Sequence, residues 1–189
     1  MNQDSLVDFL STELSLHSLE LIVVELPQKA AFRSAIGERK TRRALLIKWV
    51  DKDGAIGYGE CSCRPDPFYS HEFVDGAITI VKDYVFPLIH SVVSYGELLN
   101  QLQRIRGWNF TKAAVEFAAN DLIRRKTGSG LLEASGLKPL EHVPVGISLG
   151  LFDNAGQLND KLKELENSGY QRLKFKISNG NLKKFHNCF

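Results

Sequence analysis

Tyr170-Gln171-Arg172-Leu173-Lys174-Phe175-Lys176-Ile177 alternates strictly, with Leu173, Phe175 and Ile177 on one face of an extended strand and Arg172, Lys174 and Lys176 on the other. The run before it, Asn154 to Ser168, repeats Leu158, Leu162 and Leu165 at helical spacing and stops at Gly169, so the strand follows a helix in a β-α-β pattern. A parallel strand in such a unit is normally covered on both faces. Two ammonium groups on its polar face then point into an interior, such as the lumen of a barrel, where an unpaired cation is costly. Desolvation and a like charge two residues away both favour the neutral amine, and a neutral amine accepts a proton. An edge strand with a solvated lysine face remains the alternative.

Upstream of this unit, Val143 to Leu149 reads as an apolar strand interrupted by Gly146, and Gly136 to His142 as a Pro-containing connector that marks a domain boundary. Leu19 to Leu26, Ala44 to Val50 and Ala55 to Glu60 read as a three-stranded antiparallel meander. A polar, Arg-rich loop over residues 28–40 separates the first two strands, and Asp51-Lys52-Asp53-Gly54 turns the chain before the third. Helices follow. Ser70 is placed to cap a run over Phe73, Val74, Ala77, Ile78, Val81 and Val85, and Ser94 with Glu97 forms a capping box. A third helix runs from Phe110 to about Lys126 with Asn109 as its cap. The reading is an α+β fold: residues 1–16 an extension, 17–138 a meander with a helical bundle, and 139–189 the start of a second, β-α-β domain. A single β-α-β pair cannot bury its own faces.

Composition narrows the partners. The 189 residues are 43% hydrophobic and 24% charged, an ordinary globular balance. A formal charge of +2 without a long Lys/Arg run gives no electrostatic footprint for nucleic acid or an anionic membrane. A small-molecule site is the expectation. Met1 to Leu16 carries Asp4, Asp8 and Glu13 and no basic leader, and no stretch approaches a membrane span, so a cytoplasmic protein is expected. Cys61, Cys63 and Cys188 make an odd count and Cys61-x-Cys63 lacks a second ligand pair, so they read as reduced thiols and not a zinc site.

The order of these segments resembles the enolase superfamily, in particular its muconate-lactonizing-enzyme-like branch and the o-succinylbenzoate synthase and N-acylamino acid racemase group within it. The matching stretches are Tyr58-Gly59-Glu60-Cys61, Pro67-Phe68-Tyr69-Ser70 with Glu72, Arg104-Ile105-Arg106-Gly107, Lys112-Ala113-Ala114-Val115-Glu116, Val143 to Gly150, and Gly169 to Ile177. Together they span roughly residues 19–177.

The resemblance implies a capping domain over the start of a (β/α)7β barrel, with loops 28–40 and 61–70 closing on a small carboxylate substrate. It implies Lys176 as the base that removes a proton next to the carboxylate, with Lys174 beside it. Ser148, Phe32, Ser34, Phe68 and Tyr69 take substrate-side positions. Complete members hold the resulting enediolate with magnesium on acidic ligands of later barrel strands. Those strands have no counterpart here, so no metal is expected to bind this chain, and none of its residues is assigned to a metal. Two departures stand out: Arg64, where an apolar residue is common, and Ser178-Asn179-Gly180, where a Pro-Gly-like turn is usual. The implied reaction is syn elimination of water, with racemization or dipeptide epimerization by the same lysine pair as alternatives. The expectation is an N-terminal fragment that is inactive alone, partnered by a separately encoded barrel half or a second copy. A non-catalytic capping module or a gene relic is the rival reading.

Overall fold

The computed structural model describes residues 3–34 and 37–177, so the tail singled out above, from Ser178 on, lies outside the described residues. The chain forms two compact units, one of the residues up to Leu26 with Arg42–Pro139, the other of Pro27–Thr41 with the chain from Leu140 on.

A three-stranded antiparallel sheet has the order β1 (Leu16–Ser34), β2 (Gly37–Asp51), β3 (Ile56–Cys61), and its strand residues outside Pro27–Thr41 belong to the first unit. In β2 the residues Leu45, Ile47, Trp49 and Asp51 are all buried, the period-2 signature of a sheet with one covered face. The helix covering that face is α5 (Asn109–Thr127), whose Thr111, Ala114, Val115, Ala118, Ala119, Leu122 and Ile123 form one buried stripe at helical spacing. Large and small residues alternate across the ladder: Ile47 pairs with Gly59 and Trp49 with Gly57. A Cβ on Gly59 or Gly57 would run into the backbone carbonyl of Ala114 or Ala118. Two glycines facing two alanines thus set how closely β3 and α5 approach. The amide of Tyr58 donates to Asp121 Oδ2 at 2.9 Å and fastens the same pair of elements.

The remaining helices are α1 (Gln3–Leu10), α2 (Val74–Ile80), a π-helical turn (Val81–Val85), α3 (Phe86–Ile89), α4 (Tyr95–Gln103) and α6 (Leu131–Ala134). Residues 1–16, read from sequence as an extension, supply Phe9, Leu14 and Leu16 to this unit's core. Ser94 Oγ accepts from the Glu97 amide at 3.2 Å as the capping box requires, while Glu97 Oε2 accepts from Val93, one residue before the expected amide. Two other expected caps are displaced. Ser70 does not cap α2. Its hydroxyl accepts from the Glu72 amide at 3.0 Å, and the N-cap position falls on Phe73. Asn109 is already inside α5, whose N-cap is Trp108 with φ 53° and no side-chain bond.

The polar stretch read as a loop over 28–40 is strand up to Ser34 and again from Gly37. Residues 25–31 are all exposed, so no apolar alternation marks them as strand. In the second unit β4 (Gly146–Leu149) pairs in parallel with β5 (Arg172–Phe175), joined through α7 (Ala155–Leu165). Both strands are shorter than the sequence suggests. β4 begins only at Gly146, after Pro144, which has no amide to donate to a ladder, and β5 stops at Phe175 so that Lys176 lies just past its end. Asn154 caps α7, its Oδ1 accepting from the Gln157 amide at 3.0 Å.

Candidate active site

The register of the two parallel strands places Ser148 opposite Lys174, and Leu149 opposite Phe175. Ser148, Lys174 and Lys176 therefore belong to one side of the β-α-β unit, at the C-terminal ends of its strands. Barrel folds build their sites at such strand ends. The sequence expects both ammonium groups in an interior. Lys174 and Ser148 are instead exposed, and Lys176 is half-buried.

Lys176 Nζ stands 4.9 Å from the centre of the Phe32 ring, which comes from β1. An ammonium over an aromatic face is held by the ring quadrupole, and the contact is stronger where water is displaced. The chain around Phe32 is tied to the loop after β4. The Leu151 amide donates to the Arg33 carbonyl at 3.1 Å, and Arg33 Nη1 donates to Asp153 Oδ1 at 2.7 Å. A Cβ on Gly150 would press on the Arg33 carbonyl, so glycine permits this approach. Arg33, Gly150 and Asp153 escaped the sequence reading. Arg33 lies in a segment without apolar periodicity, and a glycine after a strand does not declare its partner. Ser34 Oγ donates to the Gly37 carbonyl at 3.4 Å and is half-buried near the same hairpin tip.

Phe68 and Tyr69 lie in the first unit, at 76% and 69% exposure. Their loop begins at a buried thiol pair, Cys61 Sγ donating to Cys63 Sγ at 3.4 Å, with Thr111 Oγ1 at 4.0 Å. Once Cys61 ionises, the Cys63 thiol can donate to the Cys61 thiolate, which pushes the Cys61 thiol below its ordinary pKa and the Cys63 thiol above it. The loop's far end is held by Glu72, whose carboxylate accepts from the amides of Phe110 and Thr111 and from Thr111 Oγ1. Arg64 reaches Asp66 at 3.2 Å and stays within its own loop. Among the described residues no group of three or more His, Cys, Asp or Glu side chains is arranged to hold a metal ion. Nor is any helix among them long and apolar enough to cross a membrane.

No protein-family model matches the sequence. An o-succinylbenzoate synthase from Listeria innocua is 32% identical over 160 residues, which cover 84% of this chain and 42% of that one. An N-succinylamino acid racemase from Amycolatopsis is 31% identical over 170 residues, 88% of this chain and 45% of the relative. A crystal structure of an enolase-superfamily member from Listeria innocua superposes with a TM-score of 0.79 at 31% identity, over 88% of this chain and 45% of that one. The chain belongs to the enolase superfamily. It spans somewhat less than half the length of the relatives it matches, and corresponds to the superfamily's capping domain followed by the start of its barrel. The three-stranded sheet with α2 to α5 is that capping domain, and β4-α7-β5 opens the superfamily barrel.

Proposed function

We propose that this chain supplies the N-terminal part of an o-succinylbenzoate synthase-like site, in which Lys176 removes a proton from the carbon next to a substrate carboxylate. The observation that carries the reading is Lys176 Nζ held over the Phe32 ring at the end of β5, beside a hairpin tip stitched to the loop after β4. In this reading Lys176 takes the proton and returns it to the leaving hydroxyl, so that water departs. Lys174 adds positive charge on the substrate's carboxylate side. Phe32, Ser34, Ser148, Phe68 and Tyr69 bound the substrate. The magnesium of complete members would be held by residues outside those described, and none of the roles given to this chain passes through it. A base alone contributes a modest part of such a rate enhancement, on the order of 10²–10⁴. The chain alone is accordingly proposed to be inactive, acting in the cytoplasm with a polypeptide that carries the rest of the barrel. An N-acylamino acid racemase or a dipeptide epimerase is the second reading, favoured by the racemase among the relatives.

The test is complementation. The chain is co-expressed with the remaining C-terminal part of the Listeria innocua relative, and the purified complex is given candidate carboxylates in D2O. Proton NMR should show exchange at the carbon next to the carboxylate, abolished by Lys176→Ala. Loss of water from the same substrate selects the synthase, and exchange with inversion and no loss of water selects the racemase. A stable complex that catalyses no exchange refutes the reading.

A further inference from the structure

Three independent irregularities meet on one face of the first unit. The first is the π-helical turn Val81–Val85, which interrupts what is otherwise a continuous helix from Val74 to Ile89. Single π turns inside helices occur often at functional sites. The second is Trp108, the one non-glycine residue with positive φ among those described, at 53°. A bulky residue in that region is strained and persists only where its surroundings hold it. The third is the pair Arg104 and Arg106, both exposed, neither of them in an ion pair among the described residues. Arg104 donates to Gln101 Oε1, and no interaction of Arg106 is formed among the described residues.

All three line the same cavity of about 480 Å³. Its apolar surface comes from Ile80, Pro87, Leu88, Ile105 and Trp108, and Tyr84 of the π turn also lines it. Gly76 makes room for the indole, since a Cβ there would sit 2.9 Å from the Trp108 ring. The edge of His71 meets that ring at a centroid distance of 5.7 Å. The arginine-bearing turn is fixed as well, because Lys112 Nζ donates to the Ile105 carbonyl at 3.0 Å. The walls are thus built in advance, and ligand sites of this size are usually pre-formed.

We propose that this cavity, lined only by residues of the first unit, is a binding site for a small aromatic monocarboxylate. The aromatic body would stack against Trp108 and the aliphatic walls, and the carboxylate would be taken by the Arg106 guanidinium with Arg104 beside it. Guanidinium suits that role through its planar fork of donors. Asp83 also lines the cavity and offsets one of the two positive charges, which favours a singly charged ligand over a polyphosphate. The site uses none of the residues assigned to proton transfer, so it stands or falls independently of the reaction proposed above.

The experiment uses the whole chain and 2-naphthoate as probe. The sequence holds two tryptophans, Trp49 and Trp108, so a ¹H–¹⁵N spectrum contains two indole signals to follow. Trp49 is fully buried in the core and serves as an internal control. Saturable movement of the Trp108 signal with Trp49 unmoved is expected, together with little response to the neutral 2-naphthamide. Arg106→Gln should weaken binding about tenfold, equivalent to about 1.4 kcal/mol, and Arg104→Gln by less. Absence of a saturable shift at millimolar probe, or equal shifts from acid and amide, overturns the proposal. The acid–amide comparison needs no variant, so it decides the matter even if an arginine substitution fails to fold.

Discussion

Glu72 grips Thr111 twice, its Oε2 accepting from the Thr111 amide and from the Thr111 hydroxyl, both at 3.0 Å. Its other oxygen accepts from the Phe110 amide at 3.1 Å, and Glu72 and Thr111 are both buried. Trp108 caps α5 in position and not in chemistry, so a carboxylate from the segment before α2 satisfies the free amides and sits at the positive end of the helix. Removing it leaves buried donors unpaired, at about 1–3 kcal/mol. Glu72→Ala should therefore lower the unfolding free energy by about 2–3 kcal/mol in urea titration. Thr111→Val, which removes only the hydroxyl, should cost about 1 kcal/mol. Equal costs for the two substitutions would show that the amide contacts contribute nothing.

Gly59 permits the contact on which the capping domain rests. A Cβ there meets the Ala114 carbonyl and the Ala118 amide, both backbone atoms that no rotamer change can move aside. Gly59→Ala must push α5 off β3, and overpacking of this kind typically costs about 1–3 kcal/mol or more. The sheet and helix should separate enough to expose Ile47, which is fully buried. Faster amide exchange in β3 and along α5, with a lower urea midpoint, is the expected result. An unchanged midpoint would mean that the two elements are not held at this spacing.

The core was legible wherever an apolar period was present. Ile47 and Trp49 in β2 and Leu158 in α7 lie inside, as their spacing suggests. What escaped were features fixed by partners distant in sequence. Glu72 could not be recognised as the cap of α5 because it lies 38 residues from Phe110. The local rule pointed instead to Asn109 and, for α2, to Ser70. The strand through residues 25–31 carried no period because no side chain there is covered. Around the candidate base, Lys176 and Phe32 were each singled out separately. Their contact follows only when β1 is seen to continue past residue 28, and with it the ties from Arg33 to Leu151 and Asp153.

Lys126 bridges two carboxylates, Asp51 Oδ2 at 2.8 Å and Asp53 Oδ2 at 2.7 Å. Its hydrogen bonds to Asp51 and then Asp53 raise its pKa above 10.5, and the bond from Lys126 holds the Asp53 carboxyl below 3.8. A raised lysine stabilises the fold below its unfolded value and loses that contribution as pH rises through the folded value. A depressed carboxyl stabilises above its unfolded value and loses its share as pH falls through the folded one. The stability gap between the native chain and Lys126→Met should thus be widest between pH 5 and 9, about the middle of that window, closing toward both extremes. Lys126 is partly exposed, so the gap should be small and should shrink in high salt. Urea midpoints across pH measure it, and a gap that does not vary with pH would assign the cluster no electrostatic role.

The second unit carries the least self-sufficient part of the fold. Two parallel strands of four residues each are too few to bury a sheet, and parallel strands are normally covered on both faces. Val143, Val145 and Ile177 are correspondingly 66%, 57% and 51% exposed. Large apolar side chains left exposed bind hydrophobic dyes where they form a contiguous patch. The isolated chain should enhance the fluorescence of an anilinonaphthalene sulfonate, and Val143→Ser with Val145→Ser should weaken the signal without changing the urea midpoint of the first unit. Addition of a barrel polypeptide that covers the β4–β5 sheet should quench the same signal in proportion to complex formed. A monodisperse monomer that binds no dye would show that these side chains offer no continuous apolar surface, and the case for a partner at this sheet would go with it.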